Sequence, residues 1–308
     1  MRIVLIGQAR FAEDVLKALL EKGAEVVAVY APPDASGRPD SLKVAVEAVG
    51  IPVFQPPKMR APEVYQQYIK LEPELNVMAF VTDILPQNIL DYPRFGSIQY
   101  HPSLLPKHRG GSAINWAIIN GETKTGITIF WTVAGIDTGP ILLQKEADIT
   151  HDDTVGSLYF DKLYQLGLDA LVESVDLIRD KKAPRIPQDE SLASYEPLCD
   201  ASQAAVNWFQ PVTTVYNLIR GSNPQPGATT SFGGNSIKLF DSELLNKSAG
   251  SPAGEITEIS DKGITIAGNG GAILVKRLQP PGSAKIPAVE YAQSVSLKVG
   301  DRFESVGK

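Results

Sequence analysis

Short apolar runs alternate with helical patterns over the part of the chain that ends near residue 180. The runs are rich in β-branched residues, which is typical of strands. One of them, Val26–Val29, is apolar at every position, which indicates a strand buried on both faces of a parallel sheet. We predict strands over Arg2–Gly7, Glu25–Ala31, Ile51–Phe54, Leu75–Val81, Ser97–His101, Gly126–Val133 and Pro140–Lys145.

Helical spacing appears between these runs. Phe11, Val15 and Leu19 are four residues apart, a second helix is predicted over Ser41–Val49, and a long one over about 154–181. Regular alternation of strands and helices predicts an α/β fold, with a Rossmann-like, doubly wound and mostly parallel sheet covered by helices. We assign residues 1–182 to this domain.

The pattern changes after residue 182. Residues 183–205 contain Pro184, Pro187 and Pro197 with little periodicity, and we interpret them as a linker. Beyond a short helix near Pro211–Arg220, short strands separated by glycine-containing turns are typical of a small antiparallel barrel. We therefore predict a smaller, OB-like β-barrel domain over 206–308, with strands at Ser236–Phe240, Gly254–Ile259, Gly263–Ala267 and Ala272–Leu278.

Composition narrows the class of protein. The 308 residues are 43% hydrophobic and 21% charged, which is ordinary for a globular protein. The net charge of −6 argues against a broad nucleic-acid-binding surface. A single cysteine, Cys199, excludes an intramolecular disulfide and most thiolate metal sites. The apolar run Met1–Gly7 is too short for a signal peptide, and no stretch approaches the roughly 18 apolar residues of a membrane span. We expect a cytoplasmic protein with no membrane partner.

The turn after the first strand argues against a nucleotide cofactor. Gly7 is followed by Gln8-Ala9-Arg10-Phe11-Ala12, which has only the first of the three glycines in a dinucleotide-binding turn. Without the second glycine the backbone is hindered from approaching a pyrophosphate, and no Walker A sequence is present. A nicotinamide or nucleotide-hydrolysing enzyme is therefore the weaker hypothesis.

Two segments carry the candidate chemistry. Gly96–Pro106 is a strand that ends in His101 and breaks into a proline-bounded loop, and Gly135–Gly139 is a short loop that contains Asp137. Ligands of open α/β sheets bind beyond the carboxyl ends of the strands, so His101 is expected in the crevice. Gln99 is two residues earlier and should share its face of the strand. We predict that Asp137 approaches His101, although a histidine–aspartate pair is also a common structural ion pair.

The other histidines are weaker candidates. His151 precedes Asp152 and Asp153, which are predicted to cap the start of the long helix, and is itself expected on the surface. His108 belongs to a basic loop, Lys107–Gly111, which is expected to order the site or contact an anion. The three scattered histidines do not have metal-ligand spacing, so we predict no metal site.

These residues resemble the formyltetrahydrofolate-dependent formyltransferase superfamily. Its Rossmann-like domain is nucleotide-free, and its site combines Asn-x-His, a following Ser-Leu-Leu-Pro, and an aspartate in a Gly-Leu-Asp-Thr-Gly-like loop. His101, Ser103–Pro106 and Asp137–Gly139 match this combination. The resemblance covers essentially the whole chain, including a C-terminal barrel like that of methionyl-tRNA formyltransferase.

Within the superfamily the chain is most similar to the N-terminal hydrolase domain of 10-formyltetrahydrofolate dehydrogenase. Tyr100–Ser103, Ser112–Trp116, Phe130–Trp131 and Leu142–Lys145 carry this likeness. It implies hydrolysis of 10-formyltetrahydrofolate to formate and tetrahydrofolate, with the folate as the small-molecule partner. The 308 residues hold no counterpart of the aldehyde-dehydrogenase domain, so we expect no NAD(P)-dependent oxidation by this chain.

Two alternatives stay open. Transferases that act on tRNA usually have Gly where Pro102 stands and a longer basic insertion near 31–43, where this chain has two basic and two acidic residues. Such a loop releases few counterions from a phosphate backbone. However, Ile219–Pro224 and the C-terminal domain resemble tRNA formyltransferases. One alternative is therefore formyl transfer to an amine, for which methionyl-tRNA is the first candidate acceptor and an amino-sugar nucleotide the second. The other alternative is a non-catalytic folate-binding module.

The resemblance also implies roles for the site residues. His101 is expected to donate to the oxyanion or to relay a proton to N10 of the folate. Asp137 is expected to orient and charge the imidazole, and to position or deprotonate the incoming water. Gln99 occupies the position of the family's asparagine with one more methylene, and is expected to supplement the oxyanion donor.

Folate contacts are expected from further residues. The pterin is expected against Asp83, Ile84 and Leu85, close to Asp137, and Tyr195 is expected to stack on or hydrogen-bond the ligand. The structural alternative is that the first segment is strand-end core with a proline stop and that Tyr195 is a packing residue. Oligomeric state stays open.

Overall fold

The computed structural model describes residues 1–34, 37, 39–245 and 250–306. Part of the 31–43 loop interpreted above, residues 35, 36 and 38, therefore lies outside the described residues. The chain divides into two compact units: unit 1 comprises 1–109, 126–146 and 162–195, and unit 2 comprises 110–125, 147–161 and 196–308. The sequence-based domain limits 1–182, 183–205 and 206–308 stay a prediction.

Unit 1 has an α/β fold that is built on one β-sheet. Its strands follow the order β3-β2-β1-β4-β5-β6-β7 within the described residues. The pairs β1–β2, β1–β4, β2–β3 and β4–β5 are parallel, whereas β5 and β6 are antiparallel. The predicted Rossmann-like, mostly parallel sheet is confirmed. The strand bounds are β1 Arg2–Gly7, β2 Glu25–Tyr30, β3 Val53–Phe54, β4 Leu75–Ala79, β5 Ser97–His101, β6 Lys124–Trp131 and β7 Ile141–Asp148.

Helices connect these strands and extend into unit 2. The first helix buries the predicted stripe, with Phe11, Val15 and Leu19 at most 2% exposed. Several short helices were not predicted, because each spans only about one to two turns and shows too little periodicity. The bounds are α1 Ala9–Glu21, α2 Ser41–Ala48, α3 Pro62–Ile69, α4 Gln87–Leu90, α5 Ala113–Ile119, α6 Val155–Ser157, α7 Tyr164–Arg179, α8 Val212–Gly221 and α9 Ala288–Ser294.

The long predicted helix is composite. It begins with α6, passes through a π-helical segment at Leu158–Leu163 and continues as α7. Thr154 caps its start through a capping box with Ser157. The neighbouring Asp153 instead accepts hydrogen bonds from Thr150 N at 2.7 Å and from Ser157 Oγ at 3.2 Å. The Thr154 hydroxyl is placed to accept a hydrogen bond from the third N–H of the helix, and it therefore forms the cap.

In the turn after β1, the N–H group that would bind a phosphate already has a partner within the chain. Ala9 N–H at the start of α1 donates to both carboxylate oxygens of Asp40, at 3.0 and 2.9 Å. Gly7 is packed so closely on the Ala79 carbonyl that a Cβ would overlap with it. The first helical N–H, which a pyrophosphate uses in dinucleotide-binding folds, is therefore paired with an internal carboxylate.

Unit 2 contains a separate antiparallel sheet, as predicted. Its order is β10-β11-β12-β9-β8, with β13 paired to β12. Its inner face packs on α8 and α9 around residues such as Trp208, Ile266 and Phe303, each at most 1% exposed. Closure into an OB-like barrel stays a prediction. The strands are β8 Ala228–Phe232, β9 Asn235–Leu245, β10 Ile256–Ser260, β11 Gly263–Gly268, β12 Gly271–Gln279 and β13 Ile286–Pro287.

Among the helices that the structure describes, none is both long and apolar enough to cross a membrane.

Candidate active site

His101 is the last residue of β5, a strand that lies between β4 and β6. Successive side chains of a strand point to opposite faces. The Tyr100 ring lies on one face, with its centroid 4.7 Å from that of Phe11, and Gly167 on α7 leaves room for it. Gln99 and His101 therefore share the other face.

Asp137 lies in the loop between β6 and β7. The last residue of β6, Trp131, is paired with Ile98, so this loop leaves the sheet near the start of β5. Gly139 returns so close to the Trp131 carbonyl that any Cβ would overlap with it. Asp137 itself has a left-handed backbone, with φ of 55°, which is uncommon outside glycine. The tight return of the loop carries its carboxylate toward His101.

The imidazole of His101 has a partner at each ring nitrogen. Nδ1 lies 3.4 Å from Asp137 Oδ2, and Nε2 lies 2.8 Å from the carbonyl oxygen of His108. Both side chains are secluded from solvent, with His101 4% and Asp137 9% exposed. A carbonyl only accepts, so Nε2 carries the hydrogen of that bond. Nδ1 is then the nitrogen that faces the Asp137 carboxylate.

The environment of His101 determines its charge. Burial lowers the pKa of His101 below its ordinary value of 6.5, and the nearby Asp137 carboxylate raises it by less than burial lowers it. The ligand-free imidazole is therefore neutral at neutral pH. A neutral imidazole beside a secluded carboxylate is suited to accept and return a proton.

Polar contacts order the loop that follows His101. Thr128 Oγ1 donates to Ser103 O at 2.7 Å and accepts from Leu105 N at 3.1 Å. Gln144 Nε2 donates to Leu105 O at 2.8 Å and to Thr128 Oγ1 at 2.9 Å. These two polar side chains, on β6 and β7, hold the backbone between His101 and His108. The sequence analysis missed them, since isolated threonines and glutamines in strands carry no local signal.

Gln99 lies in the middle of β5, paired with Met78 of β4 and Phe130 of β6. It is partly exposed, and its amide makes no hydrogen bond to any residue that the structure describes. Its N–H groups are therefore available to a ligand on the face that it shares with His101. Its role as an oxyanion donor stays a prediction.

The segment predicted to bind the pterin follows β4. Because β4 is parallel to β5, this segment and His101 follow their strands at the same edge of the sheet. Asp83 is exposed and accepts the Ile84 N–H at 2.8 Å, Ile84 is 76% exposed, and Leu85 is buried at 6%. Phe80, also 48% exposed, was not predicted. Of the three predicted residues, Ile84 and Asp83 are exposed and Leu85 belongs to the core, and their contact with the pterin stays a prediction.

Tyr195 lies next to Arg109, a buried cation in the basic loop that was expected to order the site or contact an anion. Its hydroxyl accepts a hydrogen bond from Arg109 Nη1 at 2.8 Å, while 58% of the residue is exposed. The guanidinium of Arg109 also binds Gln188 and Glu190. Tyr195 was predicted as a ligand contact. Gln188 and Glu190 were missed because they lie in a segment interpreted as a linker.

Within residues 1–34, 37, 39–245 and 250–306, no cluster of three or more His, Cys, Asp or Glu side chains has the arrangement of a metal site. Burial raises the pKa of the Cys199 thiol, so this residue stays protonated at neutral pH. A thiol is a poorer nucleophile than a thiolate.

The chain matches one known family over most of its length. Residues 1–175 match the family described as Formyl transferase, and residues 199–296 match Formyl transferase, C-terminal domain. The chain belongs to the formyl transferase family, whose members are enzymes.

Two kinds of protein are found among its relatives. Mitochondrial 10-formyltetrahydrofolate dehydrogenase of Homo sapiens is 42% identical over 306 residues, which covers 94% of this chain and 33% of that protein. The chain thus spans about a third of the length of such relatives. Methionyl-tRNA formyltransferase of Moorella thermoacetica is 38% identical over 307 residues and is covered over 98% of both chains.

Solved structures share the fold. HypX from Aquifex aeolicus, in complex with tetrahydrofolic acid, superposes with a TM-score of 0.71 at 18% identity, covering 100% of this chain and 51% of that one. The N-formyltransferase of Helicobacter canadensis, in complex with folinic acid and dTDP-3-aminofucose, gives a TM-score of 0.70 at 20% identity, covering 90% and 98%.

Proposed function

We propose that this chain hydrolyses 10-formyltetrahydrofolate to formate and tetrahydrofolate. The observation that carries the proposal is the secluded pair of His101 Nδ1 and Asp137 Oδ2, 3.4 Å apart at the end of β5. An acid–base pair of this kind supplies what a formamide-like bond requires, namely activation of water and protonation of the leaving nitrogen. The similarity to 10-formyltetrahydrofolate dehydrogenases supports 10-formyltetrahydrofolate as the donor.

The reaction follows from the proton positions. Asp137 accepts a proton from water as the water oxygen bonds to the formyl carbon, and the carbonyl oxygen becomes an oxyanion. Gln99 donates an amide N–H to this oxyanion. The tetrahedral intermediate collapses by breaking its bond to N10, which takes a proton from the pair. The pair thus receives one proton and returns one, and formic acid then ionises to formate.

The contact at Nε2 defines what His101 does. Because this nitrogen donates to the His108 carbonyl at 2.8 Å, it is not the relay atom in the ligand-free site. The proton moves through Nδ1, which faces Asp137. The imidazole therefore takes up, through Nδ1, the proton that the Asp137 carboxylate accepts from water, and returns it as N10 leaves.

Folate binding is assigned to the edge of the sheet beyond β4 and β5. The exposed apolar surfaces of Phe80 and Ile84 suit the face of a pterin ring, and Asp83 offers a hydrogen-bond acceptor. The partly exposed Tyr195 ring suits stacking against the ligand. Tetrahydrofolate is the folate product of the proposed reaction, which uses the His101–Asp137 pair and invokes no metal. We also propose that the protein acts in the cytoplasm.

Formyl transfer to an amine is the second candidate. The specific observation that favours it is the match to methionyl-tRNA formyltransferase of Moorella thermoacetica over 98% of both chains. An amine nucleophile would replace water, and the same pair would accept its proton. Methionyl-tRNA is the first acceptor to test and would then be the macromolecular partner.

The deciding experiment measures formate and tetrahydrofolate released from 10-formyltetrahydrofolate, with and without charged methionyl-tRNA. Release without an acceptor supports hydrolysis, whereas formyl incorporation that depends on tRNA supports transfer. His101→Ala should abolish release while folate affinity, measured by calorimetry, changes little. His151→Ala is the matched control, because His151 is 86% exposed at its side chain and should leave the rate unchanged. Full activity of His101→Ala would overturn the proposal.

A further inference from the structure

Arg109 has a buried guanidinium whose N–H groups are all used. Nε and Nη2 donate to Gln188 Oε1 at 3.1 and 2.7 Å. Nη1 donates to Glu190 Oε2 at 2.9 Å and to the Tyr195 hydroxyl at 2.8 Å, and Nη2 donates to Glu190 Oε1 at 2.7 Å. The side chain is 1% exposed. Because a guanidinium is a rigid planar fork, these partners are fixed relative to one another.

Gln188 transmits this order to the loop of Asp137. Its Oε1 faces the Arg109 guanidinium, so its NH₂ group must point the other way. That group donates to Asp137 O at 2.8 Å and to Gly139 O at 2.7 Å. The glutamine thus holds carbonyls on both sides of Thr138, in a loop where Asp137 has a left-handed backbone.

The same segment also holds the other partner of His101. His108, whose carbonyl accepts from His101 Nε2, donates its own N–H to Ser194 Oγ at 2.9 Å. Arg109 N–H donates to Ser194 O at 3.0 Å, and Ser194 N–H donates to Pro106 O at 3.2 Å. The backbone of 106–109 is therefore tied to residues 194–195 directly beside the guanidinium.

From these contacts we propose that Arg109 and Gln188 are positioning residues for the His101–Asp137 pair, an inference that rests on the proposed function. Neither side chain needs to touch the substrate. Arg109 orients Gln188, Gln188 fixes the carbonyls of the Asp137 loop, and the 188–195 segment fixes the carbonyl that receives His101 Nε2. The same set of contacts thus positions the partners of both ring nitrogens of His101, the Asp137 carboxylate and the His108 carbonyl.

A purely structural role would have a different signature. If the contacts only stabilised unit 1, their loss would lower the thermal midpoint and leave the remaining folded enzyme with normal turnover. If they position Asp137, the folded enzyme turns over more slowly at unchanged folate affinity. Misplacing a catalytic group by about 1 Å can cost about 100-fold in rate. Rate and stability measurements on the same variant therefore separate the two roles.

The test uses the full chain with two variants. Gln188→Met keeps the length of the side chain and removes the amide, and Arg109→Lys keeps the charge that pairs with Glu190 but lacks the planar fork. Each should lower kcat for formate release by about 10- to 100-fold with KM changed less than about threefold. Gln210→Met, at an exposed position, is the matched control and should behave as wild type. Arg109→Lys also keeps the inference testable should Gln188→Met fail to fold.

A second readout does not need catalysis. The pKa of His101 is measured by NMR titration of the ligand-free wild type and of both variants. If a variant lets Asp137 move away from His101, the pKa of His101 should fall further, because the nearby Asp137 carboxylate raises it. An unchanged titration of His101 together with a normal kcat in folded Arg109→Lys would overturn the positioning role. If the pKa of His101 is shifted in the variants but the wild type itself releases no formate, the positioning role is retained and the proposed function is rejected.

Discussion

Ile98 and Trp131 are paired across the antiparallel β5–β6 ladder, so β6 ends beside the start of β5. His101 lies three residues further along β5, about 10 Å away at about 3.3 Å per residue. The loop that carries Asp137 therefore starts at the far end of β5 from His101 and has to return. The position of this carboxylate therefore depends on the contacts of the returning loop.

Asp137→Asn should lower kcat for formate release by about 10²- to 10⁴-fold, because an amide can neither accept a proton from water nor return one to N10. Folate affinity should change much less. The measurement is single-turnover formate release together with calorimetric folate binding. Asp261→Asn, in the exposed turn between β10 and β11, is the control. Activity of Asp137→Asn within threefold of wild type would remove Asp137 from the proposed mechanism.

Gln99→Leu should lower kcat by about 10²- to 10³-fold, because it removes the amide proposed to donate to the oxyanion. KM should change little, since this donor acts mainly in the transition state. Gln99→Asn, which restores the residue typical of the family, is the comparison and should retain substantial activity. If Gln99→Leu is as active as wild type, the oxyanion is stabilised by another group.

Stability should depend on pH through His101. Burial lowers its pKa below the ordinary value of 6.5, so the folded chain binds fewer protons than the unfolded chain below that pH. The contribution of His101 to the free energy of unfolding does not change with pH above 6.5. As the pH falls below this value, His101 lowers the free energy of unfolding by at most about 1.4 kcal/mol per pH unit.

Urea unfolding of wild type and His101→Gln at several pH values between about 5 and 7.5 checks this sign. The wild type should lose stability more steeply than the variant as the pH falls. His151→Gln, at an exposed position, should follow the wild type. Parallel pH profiles for wild type and His101→Gln would contradict the lowered pKa.

Ile84→Ser should weaken folate binding by about 10- to 100-fold, since burial of an isoleucine side chain against a ligand contributes up to about 1.5–3 kcal/mol. Stability should be nearly unchanged, because Ile84 is 76% exposed. Val49→Ser, at a residue that is 53% exposed just after α2, is the control. Calorimetric titration with folate is the measurement, and equal affinity of Ile84→Ser and wild type would move the pterin away from this segment.

Tyr68→Phe should lower the free energy of unfolding by about 1–3 kcal/mol, because it leaves a buried amide oxygen short of a donor. The Tyr68 hydroxyl donates to Asn76 Oδ1 at 2.9 Å, and Asn76 Nδ2 donates to Ile89 O at 3.1 Å, just beyond the segment proposed to bind the folate. Tyr65→Phe on the same helix is the control, as the Tyr65 hydroxyl makes no hydrogen bond with the described residues. Equal urea midpoints for the two variants would contradict this role.

Much of the fold was predictable because it depends on local pattern. Apolar runs such as that of β1 identify strands, and the stripe of Phe11, Val15 and Leu19 identifies α1, since burial of one face repeats with the period of the helix. The short helix α5 was missed, since its almost wholly apolar segment has no period. The strand β8 was missed because its threonines and serine carry little hydrophobic signal.

The sequence by itself determined the α/β class, the family and the residue types of the site, including His101 and Asp137. These follow from composition, periodicity and motif, which are properties of neighbouring residues. Only the tertiary structure decided that Asp137 returns to His101 from an antiparallel strand, and that Arg109 and Gln188 hold it there. These contacts join residues 51 to 79 positions apart, and such pairings arise only when the packed chain satisfies its buried polar groups.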